Sequence, residues 1–394
     1  MNPVRSDSSV VIAGRGIAGL SLGLRLLEQG IKPVILGSPL PPRNASRCAQ
    51  GVLANKGLIF YQSPLFAAKL RSLNHVQQWL SQLEAQSGQP IPRHFNGVRE
   101  PYWSPIEFQE TVGRIYRRQF LGCFYAQNKS GRTWPESPFG LAKPLGYLFY
   151  PQDGWFDVEA TLNAQESLLR AAGLEFLEEQ LIAFEKHGEQ LQLSLEKQTL
   201  QADRLVLATG VGTASLLRCL RLKEPRNFAI GGQTLEFHVP TSAPEPLTWV
   251  RGTLTASWYG HKLIVGSSSW KGDSIDEQAL EADRRDLLES ISRNFGWDLV
   301  SKDWISKSRR GARFRYSDRM PAVGDLEDSP WQGSVYFLNG FYKNGLHLAD
   351  LCALDLVALM QGRKQDVAYP EFSPKRLFST KSCSIQQQRG PHPL

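Results

Sequence analysis

The N-terminal part of the chain joins short apolar runs to a helical pattern. Val10–Ala13 are four consecutive apolar residues, which predict a buried strand. Apolar residues then recur at helical spacing over Ile17–Leu27, and Gly30 follows where a left-handed residue commonly ends a helix. The apolar run 33–36 predicts a second strand. A strand, a glycine-rich turn, a helix and a strand within about 30 residues indicate the start of a βαβ unit.

Helices and strands continue to alternate along the rest of the chain. Apolar periodicity predicts helices over 63–84, 158–172, 277–295 and 346–360. Strands are predicted over 191–195, 202–210 and 335–338, and 247–269 is predicted to form two strands around a turn at Tyr259-Gly260. The segment 93–150, rich in aromatic residues, proline and arginine, is expected to form strands and loops over a cleft. This alternation favours an α/β fold.

Three glycines stand between the first strand and the first helix. Gly14, Gly16 and Gly19 have the spacing GxGxxG. Gly14 would permit the tight turn, Gly16 the approach of a pyrophosphate to the backbone and the helix N-terminus, and Gly19 close packing of the helix on the strand. Because the motif directly follows a strand and opens a helix, it predicts a bound dinucleotide.

The acidic residue that usually ends the second strand of such a unit is absent. That residue binds the ribose hydroxyls, and Gly37 occupies its position, followed by Ser38. We expect Ser38 to offer a weaker hydrogen bond and the adenosine half of the ligand to be held less tightly.

Composition narrows the class of protein. With 394 residues, 41% hydrophobic and 21% charged, the chain is long enough for two domains with a large core. It has no apolar stretch long enough to span a membrane, and residues 1–9 lack a hydrophobic signal segment, so we expect a cytoplasmic protein. The five cysteines are scattered without a CxxC pair, which predicts neither a disulfide framework nor a metal site.

The net charge of +7 is unevenly distributed. Residues 372–394 carry four basic residues and no acidic one, and we predict that 366–394 form a disordered basic tail. A second basic cluster, 302–319, carries seven basic and two acidic residues. Such a cluster suits a phosphate backbone, although basic runs are more often solvated surfaces.

Three further motifs follow the glycine fingerprint. They are the serine-containing segment 45–53 (ASRCAQGVL), the segment 311–324, which fits GxRxxxxDxxPxxG, and the turn 340–346 (GFYKNGL). With the fingerprint, they resemble the D-amino-acid oxidase/glycine oxidase family of FAD-dependent oxidoreductases over about residues 10–361. The resemblance implies an α/β Rossmann-like FAD-binding domain interleaved with an α+β substrate domain built on an antiparallel sheet. The implied boundaries are 9–60, 145–215 and 310–365 for the FAD-binding domain, and 61–144 and 216–309 for the substrate-binding domain.

The resemblance also assigns roles to single residues. Arg313 would hold the substrate carboxylate, a task that suits a guanidinium fork. Lys343, where relatives usually carry arginine, would stabilise negative charge on the reduced flavin. The implied FAD contacts lie in the four motifs, after the second strand and at two backbone positions: Gly14, Gly16, Ile17, Ala18, Gly19, Ser38, Ser46, Arg47, Gln50, Gly51, Val52, Leu181, Gly210, Gly340, Phe341, Tyr342, Lys343, Asn344, Gly345 and Leu346. No cysteine lies between Cys219 and Cys352, so FAD is expected to be non-covalent.

Two more positions bear on the site. Thr253 lies on the expected strand 251–255, where relatives often place a tyrosine that contacts the substrate. His347 begins the last helix, and we expect it to be packed or adjacent to the flavin.

The resemblance implies oxidation of the C–N bond of a small amino acid or amine by hydride transfer to flavin N5, giving an imine that hydrolyses in water.

Two alternative functions remain. The segments 50–51, 148–155 and 252–255 and the Arg313 motif are also similar to the C-terminal oxidase half of bifunctional tRNA 5-methylaminomethyl-2-thiouridine biosynthesis proteins, which would make a modified tRNA uridine the substrate. The basic residues of 114–118 would suit such a partner. The departures at Gly37, Thr253 and Lys343 would instead suit a non-catalytic, flavoprotein-like binding subunit. The sequence assigns no oligomeric state.

Overall fold

A computed structural model describes residues 9–38, 44–55, 64–118, 124–127, 144–274, 276–300 and 303–378, with the backbone alone at 114–118 and 124–127. The helices are α1 (Ile17–Leu27), α2 (Ala45–Cys48), α3 (Pro64–Ser87), α4 (Pro105–Arg118), α5 (Val158–Ala171), α6 (Thr213–Leu216), α7 (Glu277–Phe295), α8 (Gly345–Met360) and α9 (Lys375–Phe378). The strands are β1 (Val10–Ala13), β2 (Val34–Leu36), β3 (Val52–Leu53), β4 (Arg93–His94), β5 (Val98–Tyr102), β6 (Phe124–Gln127), β7 (Gly146–Tyr150), β8 (Gly154–Phe156), β9 (Phe176–Leu177), β10 (Leu181–His187), β11 (Gln190–Leu195), β12 (Thr199–Ala202), β13 (Arg204–Leu207), β14 (Asn227–His238), β15 (Leu247–Arg251), β16 (Leu254–Tyr259), β17 (Lys262–Gly266), β18 (Trp270–Lys271), β19 (Ile305–Tyr316), β20 (Ala322–Asp325) and β21 (Val335–Asn339).

A six-stranded sheet carries the glycine fingerprint. Its order is β20-β21-β13-β1-β2-β9, and all neighbours are parallel except β20 and β21. Val10 and Ile12 pack into a core shared with α1, α3, α5 and α8, whereas Val11 and Ala13 pack on the opposite face with β10, β11 and β12. The sheet is therefore covered on both faces, as is usual for parallel sheets.

A second sheet contains nine strands. Its order is β18-β14-β17-β16-β15-β5-β7-β6, with β19 also paired to β14, and its pairs are antiparallel except β15 with β5. The long β14–β19 pair sets Ile230 opposite Arg313 and Gly232 opposite Gly311. Apolar side chains of this sheet and of α7 form a separate core cluster. The predicted α/β fold with an antiparallel second sheet is confirmed, while the exact domain boundaries stay a prediction.

Two sequence predictions of secondary structure were incomplete. The segment 93–150 contains a helix, α4, which starts at Pro105 and is capped by the Ser104 hydroxyl accepting from the Glu107 N–H at 3.1 Å. The segment 247–269 forms three strands, because a tight turn at Gly252-Thr253 precedes the predicted turn at Tyr259-Gly260. Thr253 therefore lies in a turn and not on a strand.

The predicted disordered tail is wrong for residues 366–378. Here the Asp355 carboxylate accepts from the Ala368 and Tyr369 N–H groups at 3.0 and 3.2 Å, and the Phe372 ring is fully buried. The Arg376 guanidinium also donates to the Pro321 carbonyl at 2.9 Å. These contacts hold the segment against the body, and residues 379–394 lie outside the described residues.

The described ranges contain neither a membrane-spanning helix nor a metal-binding cluster. None of the helices found there is long and apolar enough to cross a bilayer. The same residues contain no group of histidine, cysteine or acidic side chains that could hold a metal ion.

Candidate active site

A cavity of about 1090 Å³ opens where β1, β2, β13 and β21 end. Ala13, Leu36, Ala208 and Asn339 mark these strand ends in its wall. Ligands of open parallel sheets bind at the carboxyl ends of the strands, and ligand pockets commonly measure about 300–1,000 Å³. The cavity is therefore large enough for a dinucleotide together with a small substrate.

The glycine fingerprint forms one end of this cavity. Gly14 adopts a φ of +126°, and a Cβ at this position would overlap the Ala208 carbonyl, so only glycine fits. Gly16 precedes α1, and the Ile17 N–H donates to the Ser46 hydroxyl at 3.1 Å. Gly19 lies outside the cavity wall and packs on Gly14, which is the structural role that the motif predicts.

The position of the missing ribose acid lies beside an arginine. Beside Gly37, the nearly buried Arg15 side chain forms a two-pronged ion pair with Glu166, at 3.1 and 2.6 Å, and lies over the Phe176 ring. Ser38 lines the cavity as expected. No local pattern indicated this role for Arg15, because its partner lies 151 residues away on α5.

The segment that contains Gln50 forms a side wall of the cavity. The Gln50 amide and Thr255 are joined reciprocally: Nε2 donates to the Thr255 carbonyl at 3.3 Å, and the Thr255 hydroxyl donates to Oε1. Gly51 and Val52 continue the wall. This pair of hydrogen bonds connects the cofactor side of the cavity to the nine-stranded sheet.

Arg47, in the same motif, does not line the cavity. Its guanidinium pairs with Glu166 at 3.1 Å and Asn163 at 3.2 Å, on α5. The sequence motif fixed the position of this residue along the chain but not the direction of its long side chain.

Arg313 projects from β19 into the cavity. Its Nη2 donates to the Ser267 hydroxyl at 2.6 Å, whereas its Nη1 is buried and has no hydrogen-bond partner in the part of the chain that the structure describes. A Cβ at Gly232 would lie 3.0 Å from both of these nitrogens, so the absent side chain leaves room for the guanidinium. An unpaired, buried guanidinium nitrogen is the group that a ligand carboxylate would satisfy.

The turn after β21 brings a second cation next to Arg313. Gly340, Phe341, Tyr342, Lys343, Asn344, Gly345 and Leu346 all line the cavity. Burial and the charge of Arg313 lower the pKa of Lys343 from its ordinary value. The structure thus brings together both residues that were predicted to be catalytic.

The remaining predicted cofactor positions lie at the cavity. Ala18, Leu181 and Gly210 line the cavity, as does Thr253 in its turn. Trp258, Tyr259 and His261, which lie near Thr253 in the sequence, are outside the lining.

Two buried side chains on the helices also line the cavity. Lys69 was not identified from the sequence, and His347 was expected there without an assigned partner. Lys69, on α3, is buried and donates to the Ala54 carbonyl at 3.3 Å. His347, on α8, is buried with its Nδ1 3.0 Å from the Ser72 hydroxyl. The helical periodicity of 63–84 indicated only an amphipathic helix and gave no signal that a lysine on its buried face reaches the cavity.

Comparison with known proteins identifies this architecture. The family model described as FAD dependent oxidoreductase matches residues 9–359. The chain belongs to this family. As an FAD-dependent oxidoreductase, it is an enzyme and takes FAD as its cofactor, and the predicted family, fold and cofactor are confirmed.

Several relatives place this oxidoreductase within its family. It is 23% identical to the bifunctional protein ThiO/ThiG of Synechocystis sp. over 97% of this chain, and 31% identical over 48% of this chain to the tRNA 5-methylaminomethyl-2-thiouridine biosynthesis bifunctional protein MnmC of Methylibium petroleiphilum. The chain spans 56% and 30% of these relatives' lengths.

Two solved structures share the fold of this oxidoreductase. Glycine oxidase from Geobacillus kaustophilus has a TM-score of 0.79 at 18% identity, covering 95% of this chain and 99% of that one. Iminodiacetate oxidase from Chelativorans sp. BNC1 has a TM-score of 0.80 at 17% identity, covering 93% and 98%.

The cavity fits FAD by its own features. The turn at Gly14 leaves the approach to the backbone free of side chains, and the cavity extends from this turn to Arg313. Cys48 also lines it, but burial raises the pKa of this thiol, and its Sγ lies 3.5 Å from the Gly232 carbonyl. A protonated, hydrogen-bonded thiol is a poor nucleophile, which agrees with the predicted non-covalent attachment.

Proposed function

We propose that this oxidoreductase oxidises the C–N bond of a small amine that carries a carboxylate, either an amino acid or a secondary amine. The observation that carries the proposal is Nη1 of Arg313, buried in the cavity wall without a partner among the described residues. A buried charge without a partner is destabilising, so the site is built to receive an anion. A carboxylate can bind both arms of the guanidinium fork.

The residues around Arg313 would orient the substrate. Ser267 holds one arm of the guanidinium, which fixes the plane in which a carboxylate can bind. Lys343 adds a second positive charge at the same end of the cavity. Two nearby cations disfavour a third, so they lower the pKa of a bound ammonium group and favour the neutral amine that C–N oxidation requires.

FAD, when bound, would supply the hydride acceptor, at N5 of the flavin. The part played by the chain is then to fix the substrate and its charge state. This agrees with a cavity in which the described hydrogen bonds of Cys48 and His347 run to other groups and not to each other. Preorganised charge and orientation are sufficient for such a role.

The charges of β19 favour a small substrate over a tRNA. Arg309 pairs with Glu159 at 2.7 Å and with Glu236 at 2.6 Å, and Arg310 pairs with Glu277 at 2.9 Å. These two arginines of the basic cluster 302–319 are therefore paired within the protein and are less available for phosphates. The similarity to MnmC keeps the modified uridine as the second candidate substrate.

A spectroscopic titration tests the proposal. The purified holoenzyme is mixed anaerobically with glycine, sarcosine, iminodiacetate and a panel of D-amino acids, and the visible flavin bands are followed. We expect at least one carboxylate-bearing amine to bleach them. If none does and a tRNA substrate with a carboxymethylaminomethyl group bleaches them, the second candidate is correct and the first is wrong.

Substitution of Arg313 tests the carboxylate contact. We expect Arg313→Met to lower kcat/KM for the active substrate by roughly 100-fold, the scale of losing a buried charge-assisted contact. Arg310→Met is the matched control, because that guanidinium lies on the same strand but pairs with Glu277 at the surface. Equal effects of the two variants would contradict the assignment.

A further inference from the structure

Two buried side chains of opposite charge hold one peptide unit in the cavity wall. Lys69 Nζ donates to the Ala54 carbonyl at 3.3 Å, and the N–H of the next residue, Asn55, donates to Asp153 Oδ2 at 2.9 Å. Lys69 and Asp153 are 8% and 2% exposed, respectively. A single peptide bond is therefore fixed from both sides by side chains of opposite charge, which come from α3 and from the turn between β7 and β8.

Burial affects both charges strongly. Desolvation lowers the pKa of Lys69 to about 8, opposed by the charge of Asp153, and raises the pKa of Asp153 to about 7, opposed by the Asn55 N–H and the charge of Lys69. An ordinary packing position would be filled more favourably by apolar residues, because the attraction between two buried charges seldom exceeds their desolvation cost. The pair is thus better explained by the position that it imposes than by stability.

The clamped peptide continues the wall segment that faces the cofactor. β3 pairs with β8 through Val52 opposite Trp155 and Leu53 opposite Gly154, and Asp153 directly precedes β8. Gln50, Gly51, Val52, Ala54 and Lys69 line the same cavity as the glycine fingerprint. The clamp lies at one end of this segment, and the Gln50–Thr255 hydrogen bonds lie at the other.

We propose that Lys69 and Asp153 are positioning residues for the cofactor, which fix the wall segment 50–55 against the flavin by holding the Ala54–Asn55 peptide. This inference rests on FAD as the cofactor and is independent of the identity of the substrate. Loss of one partner leaves the other charge buried and unpaired, so the segment shifts or the charge recruits water. Loss of both charges together removes that penalty while Asn at 153 retains an oxygen for the Asn55 N–H.

The test compares Lys69→Met, Asp153→Asn and the double variant, each as the holoenzyme. FAD affinity is measured from the fluorescence of flavin released on dilution, and flavin geometry from visible circular dichroism. We expect Lys69→Met to weaken FAD binding about tenfold or more and to change the dichroism of the flavin bands, by the loss of a buried partner. The double variant should recover most of the affinity.

Lys186→Met is the matched control, because Lys186 also donates to a backbone carbonyl, that of Pro330 at 2.8 Å, but on the surface. It should leave both readouts unchanged. If Lys69→Met lowers only the thermal stability, with wild-type FAD affinity and dichroism, the pair is structural and the proposal is overturned. Should Lys69→Met fail to fold, Asp153→Asn and the double variant decide in the same way. None of these readouts needs a substrate, so their outcome is separate from that of the proposed reaction.

Discussion

At the scale of single residues, Arg313 and Lys343 bring two positive charges to one end of the cavity. The Nη2 of Arg313 donates to Ser267, whereas its Nη1 has no hydrogen-bond partner among the described residues. Lys343 reaches solvent, yet its ammonium form is disfavoured both by partial desolvation and by the charge of Arg313. Because the lysine amine, unlike a guanidinium, can lose its proton, the lysine that replaces the usual arginine introduces a titrating group into the site.

This substitution predicts an alkaline limit to activity. The pKa of Lys343 lies below the ordinary lysine value of 10.5, so its charge is present at lower pH and is lost before that of an exposed lysine as the pH rises. We expect kcat/KM to fall on the alkaline side, and Lys343→Arg to move this fall to higher pH. The measurement is a pH profile of both enzymes with the same substrate. Superimposable alkaline limbs would show that the charge of Lys343 has no part in the reaction.

At the scale of elements, one buried histidine joins α8 to α3. The Ser72 hydroxyl donates to the Lys69 carbonyl at 2.7 Å, so its single proton is used. The Nδ1 of His347 must then carry the hydrogen that joins the two groups at 3.0 Å. Burial and the nearby charge of Lys69 hold the pKa of His347 well below 6.5, which keeps it in this neutral form.

A buried, neutral His347 makes the folded state less stable at low pH. The folded state has the lower pKa, so below about pH 6.5 the unfolded chain binds the additional proton and stability falls as the pH falls. One such group contributes up to about 1.4 kcal/mol per pH unit. We expect His347→Leu to flatten the dependence of the unfolding free energy on pH between 6.5 and 4.5, measured by denaturant titration. His187→Leu, at an exposed histidine, should leave the slope of the wild type.

Local sequence signals predicted elements better than they predicted contacts between elements. The fingerprint, the last helix and the turn 340–346 were all evident, because their geometry depends on residues close together in the chain. Thr253 was misplaced because the positive φ of Gly252 allows a tight turn that an apolar pattern does not reveal. Arg47 and Lys69 have long side chains whose direction is set by partners elsewhere in the chain, Glu166 for one and the Ala54 carbonyl for the other.

At the scale of the whole molecule, the net charge does not by itself measure how much positive charge is available at the surface. The net charge is +7, yet arginines of β19 are paired with acids from α5, β14 and α7. Part of the remaining basic charge lies in residues 379–394 and is outside the described chain. A net positive charge alone therefore does not create a binding surface for nucleic acid.

This distribution predicts indifference to nucleic acid. We expect total tRNA, added at micromolar concentration in about 0.15 M salt, to leave the oxidation of a small amine unchanged, because the paired arginines release few counterions. Steady-state rates with and without tRNA test this. Competitive inhibition that weakens with salt would contradict it and would support the second candidate substrate.

Gly232, which lies on β14 opposite Gly311, also limits how the enzyme can be altered. Gly232 has only a hydrogen where neighbouring strand residues have side chains, and the Arg313 guanidinium fills the space that this leaves. A side chain at position 232 would meet the Ser268 carbonyl at 2.7 Å and both terminal nitrogens of Arg313 at 3.0 Å, so a library that varies this position to change selectivity also disturbs the arginine. A designer who wants a new preference without losing the old chemistry should vary Thr253, which lines the cavity from a turn that can accept other side chains.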